Sequence, residues 1–425
     1  MSIKEDVFKM KSVAPLMATA SEDVRNEALR LIAEILDSRK EEIFDANHRD
    51  LAAAEENNLP AAILKRLKFD EAKLSDVTGG IRQLISLPDP VGKVTIAREL
   101  DEGLRLYRVT CPIGVIGVIF EARPDALVQI SSLCIKSGNC AVLKGGKETK
   151  ETNLVLFSLI HEAVVRAGLP ADAFLQAQQH SEIDELLQCH GAVDLLIPRG
   201  SNEFVQYIME HTKIPVMGHA DGVCHIYVDK DYDIEKALPI IVDAKTQYTA
   251  ACNATETLLV HRDIAKDFLP KLAEAMEKSH VKLRGTAEVN EIIPVEIIGE
   301  EEFHHEYLDL VLAVKLVGSV QEAIDHINRY GSHHTEAIIT EDMNAVSRFM
   351  QLVDSAGVYQ NASTRFADGF RYGFGAEVGI STGKLHARGP VGLEGLMSYK
   401  YKLFGKGHIV SDYAEGKKSF HFTDL

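Results

Sequence analysis

Val115-Ile116-Gly117-Val118-Ile119-Phe120, followed by Glu121-Ala122-Arg123-Pro124-Asp125, carries the local pattern from which the rest of the chain can be read. The first six residues form an apolar run of strand length. Pro124 and Asp125 suit the first turn of a helix, and Gly138-Asn139 suits its close. The same alternation then repeats. A short strand is expected over residues 140–143, and a helix capped by Thr152 or Asn153 ends at Gly168, with Pro170 just beyond. A strand over 174–177, a helix through Leu186, a strand over 193–197 and a helix from Ser201 follow. Repeated β-α units predict a parallel sheet with right-handed crossovers, whose ligands bind at the carboxyl ends of the strands.

Upstream of this run, Ala28, Leu29, Ile32, Ile35 and Leu36 recur at helical spacing. A further helical stretch from Asp70 stops at Pro88 and Pro90. Residues 94–109 change period, and Asp101-Glu102-Gly103 sits between their halves, so a β-hairpin is predicted there. Downstream, a second α/β block begins near Cys224. It comprises a strand over 225–228, a helix over 234–247, a loop holding Cys252 and a strand over 256–261, with further helices and strands to Ile380. A strand is expected over 398–404, and the polar last residues, about fifteen of them, are expected to be mobile.

The chain has 425 residues and a formal net charge of -17. That balance opposes nucleic-acid binding, which needs a basic surface to displace counterions from phosphates. It leaves room for a local basic pocket holding a small anion. No apolar stretch reaches the ~18 residues of a membrane span. The opening residues MSIKEDVFKM lack the apolar run of a secretory signal, so a cytoplasmic location is expected. The six cysteines contain no CxxC pair, and a disulfide framework is not expected.

In Tyr248-Thr249-Ala250-Ala251-Cys252-Asn253-Ala254, small residues flank a cysteine between a helix and a strand. Such a thiolate can attack an aldehyde or an activated acyl group, and Asn253 offers amides to a developing oxyanion. A buried structural cysteine in a tight loop would leave the same pattern. Lys144-Gly145-Gly146-Lys147 lies between a strand and a helix, where backbone amides and positive charge suit a ribose or phosphate. A solvated basic turn is the other reading. The spacing is not that of a P-loop, and no GxGxxG follows the first strand. His219, Asp221, Cys224 and His225, and the pairs His304-His305 and His333-His334, match no common zinc spacing, so no metal is expected. Arg123, Arg199, Arg365, Arg371 and Arg388 lie in or near loops and as a set would suit an anionic substrate.

Seven segments stand in order: Val118-Ile119-Phe120-Glu121-Ala122-Arg123-Pro124, Lys144-Gly145-Gly146-Lys147-Glu148, Ile197-Pro198-Arg199-Gly200, Cys224-His225-Ile226-Tyr227-Val228-Asp229, Cys252-Asn253-Ala254-Thr255-Glu256-Thr257, Asn361-Ala362-Ser363-Thr364-Arg365-Phe366, and the run from Gly379-Ile380-Ser381-Thr382-Gly383-Lys384 through Leu385-His386-Ala387-Arg388-Gly389-Pro390. Together they resemble the γ-glutamyl phosphate reductase family (glutamate-5-semialdehyde dehydrogenases) of the aldehyde dehydrogenase superfamily, over nearly the whole chain. The resemblance implies an α/β, aldehyde dehydrogenase-like fold in three parts. A Rossmann-like cofactor domain would hold residues 1–93 and 112–223. An α/β catalytic domain would hold 224–390. A small β oligomerisation element would join 94–111 to 391–425.

The implied reaction is NADPH-dependent reduction of L-glutamyl 5-phosphate to L-glutamate 5-semialdehyde with release of phosphate, in proline biosynthesis, through a Cys252 thioester. By the same resemblance, Lys144 with Gly145 and Gly146 would meet the adenosine ribose, and Arg199-Gly200-Ser201 the pyrophosphate. Glu306 would bind the nicotinamide ribose. Lys147 stands where NAD-preferring relatives often have glutamate, which favours NADP. Arg123 and Arg365 are the candidates for the anionic ends of the substrate. A homo-oligomer, and association with glutamate 5-kinase, are the implied partners. Two departures from the wider superfamily matter: Ala122 replaces an asparagine, and Gly218-His219-Ala220-Asp221-Gly222 lacks the glutamate base that activates water. The second favours phosphate over water as the partner of the thioester. The alternative is a hydrolytic or CoA-acylating aldehyde dehydrogenase acting on another semialdehyde.

Overall fold

The computed structural model describes residues 2–179, 181–218 and 221–425. They fall into two compact units. One comprises residues up to Met217 with Phe374–Gly379 and Val391–Leu425, and the other comprises Gly218–Gly373 with Ile380–Pro390.

The first unit opens with the helices expected from apolar spacing: Ile3–Thr19, Glu22–Ser38, Lys40–Glu56, Ala61–Leu67 and Glu71–Ser86. Ser2, Ser21 and Asp70 cap three of them through their side chains. Strands β1 (Val94–Asp101) and β2 (Leu104–Pro112) form the predicted antiparallel hairpin. Strands β3 (Val115–Phe120), β4 (Cys140–Lys144), β5 (Phe174–Ala177) and β6 (Leu195–Arg199) form a parallel sheet in the order β5-β4-β3-β6. Strand β3 is buried along its whole length, as a continuous apolar run in a two-faced parallel sheet should be. Each such Val, Ile or Phe contributes ~1.5–3 kcal/mol by leaving water. The helix Pro124–Ser137 ends at Gly138, whose φ of 71° is the left-handed cap that the sequence led one to expect there.

The helix expected to start at Thr152 or Asn153 instead starts at Lys150, after a 3-10 turn Lys147–Thr149. Its cap comes from a distant residue. Asp50 accepts hydrogen bonds from the Thr152 backbone N at 2.8 Å and its Oγ1 at 2.6 Å, and from Glu151 N at 3.1 Å. A carboxylate at a helix start satisfies the same orphan amides as a local cap.

In the second unit, β7 (Cys224–Val228), β8 (Thr255–His261), β9 (Lys282–Gly285), β10 (Glu296–Ile297), β11 (Val311–Val317), β12 (Thr335–Ile339) and β13 (Gly357–Gln360) form a parallel sheet in the order β10-β9-β11-β8-β7-β12-β13. Successive side chains take opposite faces. Ile226, Val228, Leu258 and Val260 pack with Ala237, Ile241 and Phe268, whereas Tyr227, Leu259 and Ile338 pack with Ile324, Ala345 and Phe349. Helices therefore cover both faces.

Strands β14 (Gly379–Ser381) and β15 (Gly389–Val391) form a two-stranded ribbon. Strands β16 (Met397–Phe404) and β17 (Thr423–Asp424) flank the hairpin in an antiparallel sheet ordered β16-β2-β1-β17. The expected mobile tail is thus corrected: Leu425 N donates to Ala97 O at 2.9 Å, and Arg98 pairs with Asp424 at 2.7 Å. Backbone pairing to an open strand edge outweighs the polar composition of this segment.

Lys245 and Glu256 form an ion pair of 2.6 Å with neither side chain exposed. Burial pushes Glu256 up to about 7 and pulls Lys245 down, each offset only in part by the other's charge. Desolvation therefore outweighs attraction, and the pair is costly to break but cheap to replace. Lys245→Met alone is expected to lose ~3–5 kcal/mol in urea unfolding, and the double change with Glu256→Leu to recover more than half of it. Additive losses would contradict this.

Candidate active site

The loop carrying Cys252 links the helix Ile234–Thr246 to β8 and is closed by Ala251 N to Tyr248 O at 3.3 Å and Ala254 N to Ala251 O at 2.9 Å. Cys252 is partly exposed, unlike Cys224, which is fully buried and whose thiol is pushed well up by that burial. Cys224 Sγ donates to Cys252 O at 3.3 Å, so it supports the loop. Thr364 Oγ1 donates to Asn253 O at 2.7 Å, and Thr255 and Thr364 share a hydroxyl contact of 3.1 Å. Asn253 Nδ2 donates to Ala367 O at 2.8 Å. The Asn253 side chain is thus committed to holding the loop, and its backbone amide is the group left for an oxyanion.

These contacts tie the loop to the segment bearing Arg365. Arg365 is 9% exposed and donates from Nε to Gln247 Oε1 at 2.9 Å. Burial, then the charge of Arg371, pull its guanidinium down, while Cys252 and Asp368 oppose the shift. Arg371 Nη1 donates to Arg365 O at 2.8 Å, so a second guanidinium holds the Arg365 backbone. Glu306 and the Cys252 backbone both lie close to Gly222. A Cβ on Gly222 would overlap the Cys252 carbonyl oxygen, and would come within 2.5 Å of Cys252 Cα and 2.6 Å of Glu306 Oε1.

One residue of this neighbourhood escapes sequence reasoning. His334 Nε2 lies 3.2 Å from Cys252 Sγ, and His334 Nδ1 lies 2.9 Å from Thr335 Oγ1. The sequence shows only an adjacent histidine pair. The β8-β7-β12 order is what brings residue 334 to residue 252. Cys252, Gly222 and His334 precede β8, β7 and β12 respectively, so this chemistry gathers at the amino ends of its strands. The general expectation of carboxyl-end sites fails in this unit.

It holds in the first. Lys144 ends β4, Arg199 ends β6, and Glu121 follows β3. Strand order reverses between β3 and β6, the crevice where such sheets take nucleotides. Lys144 Nζ donates to Gly145 O at 2.6 Å, and burial lowers its pKa. Gly145 and Gly146 are half-buried, and Lys147 is exposed. Ser201 stands at the N-terminal cap position of the helix Asn202–His211 without a side-chain cap bond, and its N–H donates at 3.2 Å to the Glu121 carboxylate, the place expected for pyrophosphate. A Cβ on Gly200 would lie 2.7 Å from Glu121 Oε2. Ala122, at φ 45°, donates its N–H to Glu148 Oε1 at 2.5 Å. Arg123 is exposed just before the helix Pro124–Ser137. These residues suit a ribose and an exposed phosphate near Lys144 and Lys147. An anion at Ser201 has to displace Glu121. The cofactor candidates Lys144, Gly145, Gly146, Lys147, Arg199, Gly200 and Ser201 thus belong to one unit, together with Arg123, whereas the cofactor candidate Glu306 belongs to the other with Cys252, Asn253 and Arg365. Among the described residues no three His, Cys, Asp or Glu side chains gather as metal ligands. His219 lies outside the described residues.

Residues 2–295 match the Aldehyde dehydrogenase family. A γ-glutamyl phosphate reductase from Acetivibrio thermocellus is 57% identical over 425 residues, covering 100% of this chain and 99% of that protein. The crystal structure of a γ-glutamyl phosphate reductase from Thermotoga maritima superposes with a TM-score of 0.93 at 39% identity, covering 95% of this chain and 99% of that one. A glyceraldehyde-3-phosphate dehydrogenase from Methanocaldococcus jannaschii, complexed with NADP, has a TM-score of 0.68 at 16% identity over 95% of this chain and 94% of that one, a likeness of fold alone.

Gly222→Ala is expected to cost ~1–3 kcal/mol, because a methyl group forced against the Cys252 backbone overpacks the site. A lowered urea midpoint would register it. An unchanged midpoint would show that the Cys252 loop can retreat without penalty.

Proposed function

The chain belongs to the aldehyde dehydrogenase family, on its γ-glutamyl phosphate reductase branch, and we propose that it reduces L-glutamyl 5-phosphate to L-glutamate 5-semialdehyde with release of phosphate, a step of proline biosynthesis. The observation that carries the reading is a partly exposed thiol in a small-residue loop, held beside the buried guanidinium of Arg365. That is the arrangement an anionic acyl donor needs: a soft nucleophile, with fixed positive charge for the group it meets.

In this reading Cys252 Sγ attacks the acyl carbon, the bond to phosphate breaks, and phosphate leaves with the electron pair. The backbone amides of Cys252 and Asn253 face the developing oxyanion. Arg365 and Arg123 take the anionic ends of the substrate, and Arg371 reinforces the first. A bound nicotinamide cofactor supplies the hydride that reduces the thioester carbon. No glutamate stands in residues 218–222 to activate water, so the thioester persists for reduction. Lys144, Gly145 and Gly146 hold the adenosine ribose, Arg199, Gly200 and Ser201 the pyrophosphate once Glu121 yields, and Glu306 the nicotinamide ribose. The exposed Lys147 favours NADP by pairing with a 2′-phosphate.

The face of β16 carrying Tyr399, Tyr401 and Leu403, each more than half exposed, suits burial in a homo-oligomer. The lability of an acyl phosphate favours delivery by an associated glutamate 5-kinase. No helix among the described residues is long and apolar enough to cross a membrane, in keeping with the cytoplasmic location proposed here.

Cys252→Ala is expected to abolish turnover while leaving the unfolding midpoint within ~1 kcal/mol, since it removes the covalent nucleophile from a partly exposed position. Substantial residual turnover would sink the assignment. Run in reverse with glutamate semialdehyde and NADP, the enzyme should form NADPH only when phosphate or arsenate is present. Equal rates with water or CoA would overturn the role of phosphate. Lys147→Glu should raise KM for NADPH by ~10-fold and leave KM for NADH nearly unchanged, the loss of about one exposed charge contact. Equal shifts for both would remove Lys147 from the cofactor site.

A further inference from the structure

We infer that His334 is a catalytic residue, the base that holds the proton of Cys252 at its Nε2 so that sulfur acts as a thiolate. The inference rests on the reductase reading for its place in turnover, but its geometry stands without it. His334 Nε2 is 3.2 Å from Sγ, and the ring is 1% exposed. Its other nitrogen, Nδ1, is 2.9 Å from Thr335 Oγ1. The backbone is fixed as well, since His334 O accepts from Gly357 N at 2.9 Å. An imidazolium donates from both nitrogens, and here each points at an atom able to accept: a thiolate sulfur and a hydroxyl oxygen. Cys252 is partly exposed while the His334 beside it is buried, which suits an activating base and its nucleophile better than a packed core thiol.

Among the described residues, His334 is the titratable group shown at hydrogen-bond distance from Cys252 Sγ. Arg365, near Cys252, stays protonated and can attract a thiolate but cannot take its proton. Glu306 Oε1 crowds the same space beside Gly222 as the Cys252 backbone. Glu256 is paired with Lys245, and Glu336 with His225. Asp354, whose carbonyl meets His333 Nδ1, is paired with Lys384 and Arg388. Cys224, the second thiol here, is fully buried.

In the resting dyad the proton has moved from Sγ to Nε2. On attack the S–C bond forms and the C–O bond to phosphate breaks. Phosphate carries off the electron pair and takes its proton from solvent. After reduction the C–S bond breaks, the carbonyl re-forms, and the pair returns to sulfur, where the imidazolium receives it as an ion pair. The dyad ends each cycle as it began, with no proton gained or lost.

The test follows alkylation of Cys252 by iodoacetamide in full-length enzyme without substrate or cofactor, from pH 5.5 to 9.5, reading the Cys252 peptide by mass spectrometry. At pH 6.5 the wild type should react ~10-fold faster than His334→Gln, with the two converging near pH 9.5, where an unassisted thiol ionises. In turnover, His334→Gln should lose ~100-fold in kcat while KM for NADPH stays within about two-fold, and imidazole should partly restore His334→Gly. Superimposable alkylation profiles would overturn the inference. Should the variants not fold, a wild-type profile coinciding with that of glutathione would overturn it equally. Because alkylation needs no substrate, a failure of the reductase reading would show in turnover assays and leave this result standing.

Discussion

Both parallel sheets bury both of their faces, and this constraint governs where chemistry can sit. A strand such as β3 or β8, enclosed along its length, has no side chain to spare for solvent. Polar function is driven to the strand ends, where the chain leaves the sheet and backbone groups need partners. The two units resolve this differently. The first uses carboxyl ends, around Glu121, Lys144 and Arg199. The second gathers Gly222, Cys252 and His334 at amino ends. One general rule therefore locates half of the candidate chemistry and misdirects the search for the other half.

The reactive loop is held by parts that do no chemistry. Cys224 supports the Cys252 carbonyl, Thr364 supports that of Asn253, and the Asn253 amide is anchored on Ala367. Gly222 lets these backbones approach. The result is a thiol whose surroundings are fixed before a substrate arrives, which lowers the reorganisation needed in the reaction. The buried Lys245–Glu256 pair, which joins the helix Ile234–Thr246 to β8, adds little net stability. Its Glu256 Oε1 also accepts from Leu308 N at 3.3 Å.

Local signals were legible in the sequence, and long-range ones were not. The apolar run of residues 115–120, the hairpin over 94–109 and the Gly138 cap depend on neighbours in the chain, and each stands where its pattern put it. Cys252 was legible as a small-residue loop, and its significance grew from six further ordered segments. The Asp50 cap on residues 151 and 152 was invisible because the accepting carboxylate lies about a hundred residues away. His334 was invisible for the same reason: only the order of strands β8, β7 and β12 makes it a neighbour of the sulfur. The Glu121 carboxylate at Ser201 could not be foreseen, since nothing in the spacing shows an acid resting where an anion is expected.

Strand β17 has a bearing on how this molecule keeps its own company. Only two residues, Thr423 and Asp424, pair with β1, yet they cover backbone groups around Arg98 and Glu99 that would otherwise offer a bare ladder to any passing strand. The opposite margin of the same sheet, β16, carries the exposed aromatic residues. One margin is thus partly sealed and the other left available, which gives the sheet a preferred side for association and makes random edge-to-edge stacking less favourable.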